Sequence, residues 1–152
     1  QFSFSFGGGV ASGSANVTWT KFEDLGDVRR YVPSGTITAD IAIEGCDPMH
    51  ATVPIEATVP NSPGGTLVVY TATNAAFPNS YQFALAADPN TILAFTCGTD
   101  PKIVLPMPAP ITIMVGLCTS PELQTFTDEA QLAGTYSCLA TGLDSVTWDF
   151  SQ

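Results

Sequence analysis

Gln1-Phe2-Ser3-Phe4-Ser5-Phe6 opens the chain in strict apolar/polar alternation and runs into Gly7-Gly8-Gly9-Val10-Ala11-Ser12-Gly13-Ser14-Ala15. Successive side chains on a strand point to opposite faces, so Phe2, Phe4 and Phe6 share one face and Ser3 and Ser5 the other. Burying each phenyl ring contributes roughly 1.5–3 kcal/mol, so such a strand must dock. The segment after it is poor in side chains and rich in backbone freedom. It reads as a tether, with Gly7, Gly8, Gly9 and Gly13 supplying the freedom. Residues 1–15 are therefore expected to be an alternating strand with its tether, and residues 16–152 a single β-sandwich domain. The strand docks either in its own domain or in a neighbour's. That choice separates a self-contained module from a polymer subunit.

The rest of the chain repeats the two-residue period. Residues 16–21 place Val17 and Trp19 on one face. In residues 36–43, Ile37, Ala39, Ile41 and Ile43 oppose Thr38 and Asp40. Residues 50–59 alternate as well, and Pro54 on the outer face marks an edge strand or a bulge. Leu67-Val68-Val69-Tyr70 is apolar on both faces and predicts a central strand. Residues 81–87 and 91–97 flank Asp88-Pro89-Asn90 with hairpin-like spacing. Residues 106–110 predict extended, polyproline-like backbone. Ile111, Ile113, Val115 and Leu117 share an inward face, as do Val146, Trp148 and Phe150. Turn signals stand at Pro33-Ser34-Gly35, residues 45–48, residues 60–65 and residues 98–101. One helical start is present, with Ser120 as cap, Pro121 at the first position and Glu122 in the first turn. Thr127-Asp128-Glu129 offers a second start, and Gly134 a stop. About ten short strands with at most one or two helical turns predict an all-β, two-sheet sandwich, Ig-like or jelly-roll-like, with a partly open barrel as the alternative. A true immunoglobulin domain is excluded, because no Trp follows Cys46 at the required distance.

Charge and cysteine narrow the setting. Lys and Arg number 4 against 14 Asp and Glu, a formal net charge of -10. A basic stripe for nucleic acid or for an anionic membrane surface is missing. No apolar run is long enough for membrane insertion. The chain opens on Gln1, as a mature product does after its signal peptide is removed. The 4 cysteines form no C-x-x-C pair and read as disulfides of a secreted, extracellular or cell-surface protein. The favoured pairing is Cys46–Cys97 with Cys118–Cys138. Asn16-Val17-Thr18 is a glycosylation sequon at Asn16.

Chemistry is sparsely marked. His50 is the only histidine and has Asp47 as its nearest carboxylate in sequence. Glu23, Asp24 and Asp27, or Asp128 and Glu129, would have to pair for glycoside hydrolysis, but they stand in polar segments where acids are solvated. Asp47, Asp88 and Asp100 are loop carboxylates of the type calcium takes, without an EF-hand pattern. No other cofactor is expected, and no catalytic residue is assigned. The layout of a small disulfide-bonded β-domain led by an alternating strand resembles pilin-type fibre subunits. The resemblance implies a homopolymer, in which Phe2, Phe4 and Phe6 complete a neighbour's sheet and form a filament or surface lattice. The alternative is a self-contained module that binds a glycan or protein ligand, with or without calcium.

Overall fold

The computed structural model describes residues 1–6, 8–57, 64–109, 111–116, 122–138, 140 and 142–151, with the backbone alone at 4, 6 and 151. Twelve strands account for most of them: β1 (Phe2–Phe6), β2 (Gly9–Asp24), β3 (Val28–Ile43), β4 (Met49–Glu56), β5 (Gly65–Tyr70), β6 (Ser80–Ala86), β7 (Ile92–Cys97), β8 (Ile103–Pro108), β9 (Thr112–Val115), β10 (Gln124–Thr125), β11 (Gln131–Cys138) and β12 (Leu143–Ser151). The fold is all-β, with no α-helix among the described residues.

The spine is the β2–β3 hairpin, 16 residues on each arm, in register from Gly9↔Ile43 to Asp24↔Arg29. The far side of β3 takes two partners in succession. β5 pairs along residues 28–31 and β4 along residues 34–41. Pairing continues from β5 to β6, and β9 and β10 add to β6. On the other side of β2 come β1, β12 and β11 in that order. The result is one ten-stranded antiparallel sheet that curls on itself. β6 and β12 each lie one strand in from an end of the path. Even so, the Phe83 ring stands 5.2 Å from both Trp148 and Phe150, edge-on. Only a barrel-like closure brings those strands face to face. Two comparable sheets, as the sandwich expectation has it, are not what the pairing gives; the second sheet is the small β7–β8 ribbon alone.

The core is the inward half of each alternation. Ile37, Ile41, Val53, Ile55, Leu67, Val69, Phe83, Ile113, Val115, Leu132 and Trp148 are all buried in one cluster. β5 is buried on both faces, as its run of apolar residues requires. β4 is an edge strand, and Pro54 turns its carbonyl outward to accept from the Asp88 N–H.

Four expectations are corrected. First, residues 9–15 are not a tether. They are strand, held between β1 and β3. A Cβ on Gly13 would stand 2.0 Å from the Thr38 carbonyl oxygen, so its missing side chain serves close backbone approach rather than freedom. Gly8, with φ of 81°, turns the chain from β1 into β2, and Gly9 opens β2; Gly7 lies outside the described residues. Second, Pro33-Ser34-Gly35 does not end a strand. β3 runs through it because Pro33 faces away from β2 and Gly35 takes φ of 146°, which β-carbons avoid. Third, the helical start gives no helix where described. Gln124 and Thr125 pair with β6, and Leu132 and Tyr136 point inward from a strand paired with β12. A helix this short is marginal alone, and the two-residue period wins. Ser120 and Pro121 lie outside the described residues. Fourth, β6 and β7 do not form a hairpin, since Asp88-Pro89-Asn90 carries the chain from one sheet to the other.

The Cys46–Cys97 disulfide forms as expected and ties β7 to the end of the β3–β4 connection. It points to a non-cytoplasmic environment. Cys138 is buried. Cys118 lies outside the described residues. No helix is long and apolar enough to cross a membrane among the described residues.

Candidate functional site

Two clefts lie along the line between β2 and β12. β1 wedges between β2 and β12, with Phe2 opposite both Gly13 and Val146. The N-terminal nitrogen of Gln1 donates to the Thr147 carbonyl at 2.8 Å, and the Thr147 N–H returns to the Gln1 carbonyl at 2.8 Å. Beyond that pair, β2 continues through residues 14–24 and β12 through residues 148–151. No described strand lies between them.

Parity fixes which backbone groups face the gap. Gln1 spends its hydrogen bonds on Thr147, so Phe2 turns to Gly13 and Gly13 turns to β1. Along β2 the same side is then presented by Ala15, Val17 and Trp19. A second observation agrees. Pro33, opposite Trp19, gives its carbonyl to the Ala57 N–H on the far side, so the Trp19 backbone is not spent on β3. On β12 the matching groups belong to Asp149 and Ser151.

The gap is floored by apolar side chains. A cleft of about 600 Å³ is lined by Val17, Trp19, Leu67, Val69, Leu132 and Phe150, with Tyr31, Lys21, Glu129 and Asp149 at its polar rim. A second cleft of about 430 Å³ follows the same line back to Gln1 and Phe2. Both fall within the ordinary range for ligand sites. Trp19 stacks edge-on against Phe150 at 5.6 Å, and its indole N–H is buried with no acceptor among the described residues. Trp148, in contrast, donates to the Tyr81 hydroxyl at 2.9 Å.

One lip of the cleft is clasped. The Arg29 guanidinium on β3 donates to Glu129, in the turn before β11, and to Asp24 at 3.1 Å. The Tyr31 hydroxyl donates to the other Glu129 oxygen at 3.2 Å. Burial, and then the Glu129 charge, raises the Tyr31 hydroxyl pKa. Glu129 raises that of Arg29. The Gly26 N–H and then Lys21 lower that of Asp24. Asp149 is exposed and has no partner among the described residues.

The other sequence candidates stand apart from this cleft. Asp47 pairs with Lys102 at 2.7 Å, Asp88 accepts from the Asn90 N–H within its own turn, and Asp100 is exposed before Pro101. No group of three metal-ligating side chains forms among the described residues. His50 bonds Asp40 at 2.8 Å on the surface, not Asp47. Glu23 pairs with Arg30, Asp24 with Lys21 and Arg29, and Asp128 caps Ala130. Asn16 is exposed on β2. Phe2 is buried at 5% exposure within its own sheet. The backbones of Phe4 and Phe6 pair with Ala11 and Gly9, and their side chains lie outside the described set. Trp148 is core as expected, whereas Trp19 lines the cleft. The alternation placed Trp19 inward correctly. No protein-family model, no curated protein and no solved structure matches this chain.

Proposed function

We propose that this chain is a secreted, self-contained binding module, not an enzyme, and that its ligand site is the cleft between β2 and β12. The observation that carries the reading is the seat of β1. Its backbone is spent on β2 and β12 of its own chain, and Phe2 is buried there. The cleft joins an aromatic floor to a rim that carries both donors and acceptors, the composition of a recognition site. The test combines hydrogen exchange with light scattering. Protected amides at residues 2–6 in a species that stays monomeric at high concentration are the expected result. Ligand arrays read by the Trp19 indole signal then test the cleft. Ligands that perturb only distant surfaces would overturn it.

The filament reading is kept second because one observation favours it. The pairing of β1 with β12 carries a register shift after Ser3, so a neighbour's copy of the same strand can compete for the seat. Removing residues 1–6 separates the two. Loss of assembly that returns when the peptide is added in trans marks donation. Loss of stability in a protein that was monomeric throughout marks the self-contained module.

A further inference from the structure

We propose that Asn16 is an N-glycosylation site whose glycan is rooted on the hydroxyl-lined outer face of the β2–β3 hairpin. This rests on the secreted reading of the chain and not on the cleft. Asn16-Val17-Thr18 is the one Asn-x-Ser/Thr triplet in the sequence, and neither Val17 nor Trp19 is a proline that would block transfer. A triplet alone says only that a transferase can read the chain. The fold adds that the product suits the folded state. Asn16 and Thr18 stand two apart on β2, so their side chains leave from the same face. Both are exposed, whereas Val17 and Trp19 pack against the core. The Asn16 side-chain amide makes no hydrogen bond among the described residues. The Cys46–Cys97 disulfide is an independent mark of an oxidising compartment, the kind in which such transfer takes place.

The surroundings of Asn16 leave room for a sugar. On β3, Thr36 lies opposite Asn16, Thr38 opposite Ser14 and Ser34 opposite Thr18. Strands about 4.8 Å apart, with same-face residues about 6.8 Å apart along each, give the first sugar ring a floor. All five neighbours on that floor are Ser or Thr, without a charge or an aromatic ring to displace. Their hydroxyls can donate to and accept from those of the sugar. The Thr38 hydroxyl already meets that of Thr52 at 3.0 Å, so Ser14, Thr18 and Thr36 are the nearest partners for the glycan. In the transfer step the Asn16 amide nitrogen attacks the anomeric carbon of a polyprenyl-diphosphate-linked oligosaccharide. The new carbon–nitrogen bond replaces the carbon–oxygen bond to the diphosphate, one amide proton is lost to a base, and polyprenyl diphosphate leaves. No oxidant or reductant takes part. The Thr18 hydroxyl is what the transferase reads beside the amide. Pairing of β2 with β3 then carries the sugar to the outside.

The experiment expresses the whole chain behind a secretion leader in a eukaryotic cell line and weighs the secreted protein by mass spectrometry. One oligosaccharide per chain is expected. A glycoamidase should remove it and convert Asn16 to aspartate, which marks the position. Asn16→Gln and Thr18→Ala should each abolish the addition, and Thr18→Ser should keep it at several-fold lower occupancy. All three lie on the exposed face, so the variants should form the Cys46–Cys97 disulfide and unfold at the same denaturant midpoint as the enzymatically deglycosylated protein. Exchange of the glycosylated and deglycosylated forms should differ at residues 14–18 and 34–38 and nowhere else. A secreted protein that carries the disulfide and no sugar would overturn the site while leaving the secreted module intact. Sugar confined to retained, misfolded chains would overturn the exposed seat on β2, because the folded state would then exclude it. Exchange differences spread over distant strands, or absent around Thr36, would overturn the contact with the β3 hydroxyls. A secreted protein in which the Cys46 and Cys97 thiols stay free would overturn the secreted reading and this proposal together.

Discussion

Glu129 does more than its place in an acidic turn suggests. It joins β3 to the start of β11 by accepting from both Arg29 and Tyr31. The pair is partly exposed, so Glu129→Ala should cost about 1 kcal/mol, read as a lower denaturant midpoint at unchanged slope. Three tyrosines give the domain an alkaline limit. Burial raises the hydroxyl pKa of Tyr31, Tyr81 and Tyr136 above the ordinary 10.0. A raised folded pKa means that the folded state holds its protons where the unfolded state has released them. The contribution is complete below the unfolded value and falls away as pH rises through the folded one. Stability should therefore decline from pH 10.0 upward. Spectroscopic titration at the tyrosinate band should show late ionisation with these three, coupled to unfolding. Tyr81→Phe should remove part of the decline. It also removes the acceptor of the Trp148 indole N–H.

At the scale of elements, the disulfide and the long hairpin carry separate loads. Cys46–Cys97 closes a sequence separation of 51 residues and anchors the β7–β8 ribbon. Replacing both cysteines by Ser should cost about 2–4 kcal/mol and raise exchange first in β7 and β8, checked by denaturation and residue-resolved exchange. Gly35→Ala should cost more than about 2 kcal/mol, because φ of 146° suits no side chain and the new Cβ would stand 2.0 Å from the Asn16 carbonyl oxygen. The strands themselves were legible. Ile37, Ile41, Val53 and Ile55 alternate plainly, Leu67-Val68-Val69 is continuous, and Pro54 marks an edge. What punctuation hid was continuity. Pro33-Ser34-Gly35 looks like a turn, yet one proline that faces a gap in the ladder and one glycine in a rare conformation let β3 pass through. Gly9 and Gly13 looked like freedom because backbone pairing leaves no mark in side-chain pattern.

For the whole molecule, the decisive facts are relations between distant residues. No local pattern tells that Phe2 lies opposite both Gly13 and Val146. The class could be read from the two-residue period; the curl could not, since it depends on Phe83 meeting Trp148 and Phe150 across the curled sheet. The same non-local pairing opposes fast folding. Antiparallel strands that are distant in sequence close large loops before they gain contacts, so refolding in milliseconds to seconds is expected by stopped-flow fluorescence of the two tryptophans.

The hydrogen bond between Gln1 and Thr147 spans 146 residues. During synthesis β1 leaves the ribosome before the other described strands, and the β12 flank of its seat leaves after them. Until then Phe2 can lean only on the β2 hairpin arm. Until β12 arrives, the same strand is open to holdase chaperones and to a sister chain. The order of manufacture thus gives a brief interval in which the closed product and the exchanged one compete, and the rate at which the last strand closes decides between them.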